Sequence, residues 1–483
     1  MSQSPEDIDK KADGGIQTDH PRIAHIVANK WFPAVIWTLR VLLGGVFVMS
    51  GLVKGIDLWG FIFKIEDYLS VWDMSQPRSI VVMAALLISA YEFIFGCLLV
   101  TGCYKRVAVW ALTAMMAVML PLTAYIAIFD PVSDCGCFGE FWVISNTWTF
   151  IKNILITFGL LILLVFNHRL KAGIFQPAIQ WIVGAWITLY FIIVALYGYN
   201  VQPMVDFRPY PIGSRLIDKS PSEADVYGEN DVTVDDEAED NEAIDDDDEA
   251  DDDDDDDDDE MTFVYQRNGV RQEFTLDNLP DSTWEFVERI ESPHESDASA
   301  RGADLALNDA DGEDVTEEAL SDQGTELMVV IPEPERLDIS YTYFLNELKQ
   351  WADTSDVRMI CVIASDRKGI AYWNDVSMAA YDVYSAEDTK LKELVRGTMA
   401  MVELRDGRVA AKYTLSSISG DIIDNGPEGK DLLDEMAPEP GVWFKTLTGL
   451  FVAGLLLLYL FQHLVLTVYT RIRGLYQKKA VNL

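Results

Sequence analysis

Histidine and cysteine are both scarce, five of each in 483 residues. The histidines are scattered, with no pair at the spacing of a metal site, so no metal centre is expected. The cysteines, Cys97, Cys103, Cys135, Cys137 and Cys361, are too few for a disulfide-stapled scaffold. Basic residues are outnumbered, 37 against 78 acids, for a net charge of −41. That leaves little with which to neutralise phosphates, and nucleic acid is excluded as a partner. The first thirty residues lack a short apolar run followed by a small-residue cleavage site, so no removable signal is expected.

What is abundant is apolar sequence, 49% of the chain. Such a fraction and such a charge cannot share one globular domain, and they are segregated. Six stretches reach the roughly 20 apolar residues that cross a bilayer. They run from Phe32 to Val53, Ser79 to Thr101, Val107 to Phe129, Thr147 to Phe166, Pro177 to Tyr199 and Val442 to Tyr469. Lys and Arg in the short links set the orientation. Residues 1–30, the links bearing Lys105–Arg106 and Arg169–Lys171, and the tail beyond Tyr469 are expected to be cytoplasmic. The link Asp130–Asn146, which has neither Lys nor Arg, and the acidic region between the fifth and sixth spans then face outward. The acids of the first outer link, Asp57, Glu66, Asp67 and Asp73, suggest a folded piece at the interface. The lipid bilayer is the first partner implied, in a bacterial inner membrane with the soluble region in the periplasm.

Within residues 31–200 several features stand out. Gly44 and Gly51 lie seven apart on one helix face, which permits close helix packing. Glu92 and Gly96 share a face of the second span. An acid within a span is costly and is a functional candidate by default. It fits a proton carrier, a site for a head group or quinone, or a structural acid paired with Arg40. Cys135 and Cys137 stand in Asp134-Cys-Gly-Cys-Phe-Gly139. A thiol pair one residue apart fits a strained, labile bridge, a redox-active dithiol, a structural disulfide or a metal ligand pair. These features resemble the DoxX family of small membrane proteins, and the C-G-C-F-G loop resembles its MauE branch, named for methylamine utilisation, over about residues 32–200. The resemblance implies an accessory role in maturing disulfide-containing periplasmic proteins. Cys97 and Cys103 read as packing residues.

The outer region opens with 217–260, which is poor in apolar residues and reads as a disordered acidic linker. It holds 21 acids between Asp235 and Glu260. The unbroken Asp251–Asp259 run is a spacer or a place for divalent cations. A β-hairpin around Asn268-Gly269 is expected within 261–298, with the rest less ordered, and Leu305–Gly312 suggests a strand and turn. Over 300–420 an alternating series follows. Its strands fall at Thr325–Ile331, Val357–Ala364 and Ala380–Tyr384, and its helices at Ser340–Trp351, Lys368–Asn374 and Thr389–Val395. A last hairpin turns at Asp406-Gly407. The order resembles a thioredoxin-like fold, but Pro332-Glu-Pro-Glu335 stands where the C-x-x-C belongs, and Met399 replaces the proline before the last hairpin. Cys361 lies in a strand and reads as core.

The expected fold is therefore an all-α polytopic bundle of about six transmembrane helices joined to an α/β thioredoxin-like soluble domain lacking C-x-x-C, with a closing span at 442–470. The expected function is a redox accessory acting through Cys135 and Cys137 on a periplasmic client or redox partner, with no cofactor implied. The alternatives are a non-catalytic scaffold presenting the outer domain, and a quinone-linked oxidoreductase subunit built on Glu92.

Overall fold

The computed structural model describes residues 32–72, 76–131, 139–142, 144–166, 173–216, 262–267, 270–275, 285–290, 305–321, 323–336, 339–378, 380–418, 432–436 and 440–481, together with Met74, Gly136 and Ile422. Among the described residues six helices are long and apolar enough to cross a membrane. They are α1 (Phe32–Ile56), α3 (Arg78–Thr101), α4 (Lys105–Phe129), α5 (Asn146–Val165), α6 (Gln180–Asn200) and α12 (Pro440–Val481). Pro121 sits inside α4 without ending it, as membrane helices tolerate. The outward faces carry exposed Trp37, Leu42, Val118, Phe158 and Leu457, the pattern lipid requires.

Lipid removes the hydrophobic drive between helices, so close van der Waals contact must hold them together. The α1–α3 crossing supplies it. A Cβ on Gly51 would fall 2.4 Å from Phe93 N and 2.7 Å from Ser89 O, and one on Gly96 would fall 2.8 Å from Val48 N. Only hydrogen fits at either place, so the two backbones touch. The closing helix α12 packs on α6. Phe451 stacks on Tyr190 at 4.2 Å between ring centroids, and Trp186 Nε1 donates to Phe451 O at 3.1 Å.

The link between α1 and α3 is itself a helix, α2 (Leu58–Val71), as its acids suggested. Asp57 starts it, its carboxylate accepting from Gly60 N at 3.0 Å. Leu58 and Ile62 of α2 are buried in one cluster with Val81 and Ala85 of α3.

Residues 306–483 belong to the same compact unit as 1–213. They build a five-stranded mixed sheet of β4 (Thr325–Ile331), β5 (Val357–Ile363), β6 (Asp382–Ser385), β7 (Ala400–Arg405) and β8 (Arg408–Thr414), in the order β6-β5-β4-β7-β8. The strands β4, β5 and β6 run parallel, and β7 and β8 antiparallel. Six of the seven β4 residues are buried, which is why the strand reads as a continuous apolar run rather than an alternating one. Helix α8 (Thr342–Thr354) buries Phe344, Leu348 and Trp351, the face expected. Helices α9 (Arg367–Ser377) and α10 (Asp388–Leu394) complete the alternation. Asp406 and Gly407, both at positive φ, turn β7 into β8.

One expectation fails before β4. The Leu305–Gly312 stretch makes no full strand. Asn308 forms single bridges to Asp314 and Ser385, because the Asp309 carboxylate accepts from Asp311 N and Glu313 N and curls the chain into a turn. Ahead of β4 stands the one-turn α7 (Thr316–Ala319), and ahead of α12 the short α11 (Leu432–Met436).

The second unit, 214–305, holds a sheet of β1 (Thr262–Arg267), β2 (Val270–Thr275) and β3 (Glu285–Ile290), all antiparallel, in the order β2-β1-β3. The hairpin flanks Asn268-Gly269 as its turn signal predicts. The third strand was expected to be less ordered. Its sequence, Glu285-Phe-Val-Glu-Arg-Ile290, breaks the apolar-polar alternation. The Asp251–Asp259 run lies outside the described residues.

Candidate functional site

The α1–α3 contact at Gly51 brings Ser50 and Lys54 against Glu92. Ser50 and Lys54 are four apart and share a helix face. Lys54 Nζ donates to Glu92 Oε1 at 2.7 Å and to Oε2 at 2.9 Å, and Ser50 Oγ donates to Oε2 at 2.7 Å. Lys54 and Glu92 are 2% and 3% exposed, so the two charges neutralise each other inside the bundle. The Lys54 ammonium also stands 4.9 Å from the Phe61 ring centroid.

This corrects the expected partner of Glu92. Arg40 is fourteen residues before Lys54, about 21 Å along α1. Its guanidinium lies beside Gly102, where a Cβ would meet Nη1 at 3.0 Å. Lys54 escaped notice because a lysine at the end of a span reads as an interfacial anchor. Its spacing from Ser50 and Gly51 was the signal available.

A small cleft of about 30 Å³ adjoins the pair. Ser50, Lys54 and Glu92 form one side. Lys152 and Asn153 of α5 also line it, and Met115, Met116 and Met119 of α4 supply flexible apolar walls. Asn153 Nδ2 reaches Thr123 Oγ1 at 3.3 Å, so α4 and α5 are tied where they border the cleft.

Cys135 and Cys137 lie outside the described residues, but Gly136 between them does not. It is buried at φ +62°, and a Cβ there would meet Lys64 Cγ of α2 at 2.7 Å. Three residues on, Gly139 opens a one-turn 3-10 helix, Gly139–Phe141, and a Cβ on it would lie 3.6 Å from Val53, the neighbour of Lys54. Asn146 Nδ2 donates to Asp130 Oδ1 at 2.6 Å, joining the two ends of the link. Gly136 is thus pressed onto α2, and Gly139 lies beside the adjoining end of α1. Cys97 and Cys103 are buried free thiols in the bundle core. Cys361 is fully buried in β5, and burial pushes its thiol up.

The α/β sheet docks on this same helix. Arg396, just before β7, is 2% exposed, and its Nε and Nη2 donate to Asp57 Oδ1 at 2.9 Å and Oδ2 at 2.7 Å. Glu333, in the loop after β4, accepts from Arg78 Nη1 at 2.7 and 2.9 Å. Phe63 of α2 lies under Arg78, Lys392 and Arg396, at 5.6, 5.4 and 5.8 Å. Gln202, after α6, donates to Arg396 O at 2.8 Å and accepts from Arg396 N at 3.0 Å. Gly213 N donates to Val409 O at 2.7 Å, holding the chain after α6 to β8. At the other edge of the sheet, Asn308 and Ser385 exchange backbone hydrogen bonds at 2.8 Å. None of these partners lies near the other in sequence, so no local motif announced the interface.

The electrostatics there are lopsided. Burial works to raise Asp57, but Arg396 and Arg208 outweigh it and hold the carboxyl below its ordinary value. For Asp206 too, burial is overcome by Arg208 and Lys412, and the carboxyl is held far down. Lys412, which donates to Asp206 Oδ2 at 2.8 Å, is pushed down to about 7, first by burial and then by the Arg208 charge. An unfolded lysine keeps its proton up to about 10.4. Between pH 7 and 10 the unfolded chain therefore binds more protons than the folded one at this site, and stability rises with pH. Asp206 acts in the same direction but only in acid, where its contribution is lost as pH falls below the ordinary carboxylate range. We expect the melting temperature of the full chain in detergent to climb from pH 7 to 9, and Lys412→Met to flatten that climb. An unchanged slope in the variant refutes the assignment.

Residues 32–166 match the family model described as Methylamine utilisation protein MauE. The match stops at Phe166, short of the fifth span to which the sequence resemblance was extended. Residues 259–293 match a Domain of unknown function (DUF8463). No curated protein matches the chain. Among solved structures, the bacterioferritin comigratory protein of Xanthomonas campestris, a protein with alkyl peroxide reduction activity, is 14% identical, with a TM-score of 0.20 over 25% of this chain and 87% of that one. A superposition that weak carries no argument about the sheet. The six described apolar helices make the chain a multi-pass membrane protein, and its residues 32–166 are similar to MauE.

Proposed function

We propose that this protein is a membrane accessory of thiol–disulfide exchange that acts through Cys135 and Cys137 on the outer face of a bacterial inner membrane. The observation that carries the proposal is the packing of Gly136, the residue between the two cysteines, onto α2, the helix on which the α/β sheet also docks. A client held by the α/β domain would meet the loop without either moving far. In the exchange, a client thiolate attacks one sulfur of the loop disulfide to form a mixed disulfide. The second client thiol then displaces the loop cysteine. The client loses two electrons and gains a disulfide, and Cys135 and Cys137 are left as thiols, to be reoxidised by a partner's disulfide. The α/β domain, in this reading a thioredoxin-like fold without its own cysteine pair, contributes binding alone. Its single thiol, Cys361, is buried and far from reactive.

A second reading, a scaffold presenting the α/β domain, is favoured by the ion pairs that fix that domain to the start of α2, Arg396–Asp57, and to the start of α3, Glu333–Arg78. Trapping thiols in intact cells with an impermeant mass tag separates the two. Exchange predicts that Cys135 and Cys137 are tagged only after mild reduction, and that Cys135→Ser accumulates reduced client. Cysteines that never change state, with client disulfides intact in the variant, leave the scaffold.

A further inference from the structure

Arg40 of α1 is a buried cation that the described residues do not neutralise. It is 2% exposed, and its Nε has no hydrogen-bond partner among them. Glu92 is the one acid in the sequence of the six spans, and it is taken by Lys54 and Ser50. The neighbouring Cys103 is itself buried, and a thiol so placed stays neutral. A charge held out of water without its opposite is costly, so an anion is called for at this place.

The guanidinium is turned to the link between α3 and α4. A Cβ on Gly102 would lie 3.0 Å from Arg40 Nη1 and 3.3 Å from Cζ. Three residues on, Lys105 opens α4, a helix of 25 residues. Its first amides have no acceptor within the helix, and the cap residue, Tyr104, makes no side-chain bond to them. Tyr104 N is itself held by Gln180 Oε1 at 3.1 Å. Lys105 stands within electrostatic reach of both Arg40 and the exposed Arg106. Three cations therefore meet the positive end of a long helix dipole, and residues 32–41, 98–110 and 173–183 around them hold no acid. A link between two spans lies at a membrane surface, the depth of lipid phosphates. This end of the bundle, away from the docked sheet, is the one expected to face the cytoplasm, whose leaflet is rich in anionic lipid.

We propose that the first turn of α4, backed by Arg40, is a site for the phosphate of an anionic phospholipid. The phosphate oxygens accept from the α4 amides and from Arg106, and the buried charge of Arg40 favours a head group with net negative charge over a zwitterionic one. The site is separate from Cys135 and Cys137 and does not rest on the exchange reading.

The test places the full chain in nanodiscs of dioleoylphosphatidylcholine with rising fractions of dioleoylphosphatidylglycerol. Melting temperature and the lipids retained in native mass spectrometry are the readouts. The glycerol lipid should raise the melting temperature and stay bound, and the choline lipid alone should do neither. Arg40→Gln and, separately, Arg106→Gln should each need about five times the fraction of glycerol lipid for the same shift, the worth of one basic group near an anionic lipid surface. In discs of choline lipid alone, Arg40→Gln should melt no lower than the native chain, because it removes an uncompensated charge, and exposed Arg106→Gln should melt with it. An equal response to the two lipids overturns the proposal. So does an Arg40→Gln that is destabilised equally in both discs, which is the mark of a purely structural arginine. Inorganic phosphate that matches the glycerol lipid in discs of choline lipid would make the ligand a soluble anion and also overturns it.

Discussion

Lys54→Met should cost about 3–5 kcal/mol of bundle stability, because it leaves the Glu92 carboxylate buried without its counter-charge. Both oxygens of Glu92 are turned onto Lys54, and Ser50 alone cannot compensate an ionised acid in so dry a setting. The double variant Lys54→Met with Glu92→Met should recover most of the stability, since apolar pairs of similar volume often match a buried ion pair. Melting of the four forms in detergent gives the full cycle. A double variant no better than the worse single one would show that the two charges are not coupled.

Arg396→Met carries an effect of similar size at the docking interface. Asp57 would remain packed under the sheet with its main counter-charge gone, again about 3–5 kcal/mol by the same reasoning. The consequence differs from that of the first substitution, because the bundle itself is not broken. The α/β domain should lift from α2, and amides of Leu58–Val71 and of the chain around Arg396 should exchange hydrogen faster. Adding Asp57→Asn should restore docking in part, because the amide oxygen still caps Gly60 N while the stranded charge disappears. Protection at α2 that is unaffected by Arg396→Met would mean that Arg78, Glu333 and Gln202 hold the domain unaided.

These interactions mark the boundary of what could be read from the chain. The six spans were legible because lipid demands long apolar runs and tolerates little else. The strands and helices of 325–414 were legible because each carries its own periodicity: the buried run of β4, the Phe344–Leu348–Trp351 face of α8, the Asp406-Gly407 turn. Gly51 was legible as a packing residue, and it is the reason Lys54 reaches Glu92. The partner itself was not, since Lys54, at the end of its span, reads as an interfacial anchor until α1 is placed against α3. Still less accessible was the docking of Arg396 on Asp57, separated by 339 residues, or of Glu333 on Arg78, separated by 255. Such pairs leave no periodic trace. The Pro332–Glu335 segment, noticed first for the cysteines it lacks, supplies Glu333 as a docking residue.

The attachment of the chain at Gly213 to β8 and at Asn308 to β6 has an evolutionary corollary. The chain between them leaves and rejoins one framework at two fixed points. Closing a loop twice as long costs only about 0.6 kcal/mol more. Insertions, deletions or wholesale exchange of that stretch are therefore nearly free, so descendants of one ancestral framework can diverge there in size and charge while the membrane bundle and its docked sheet stay the same.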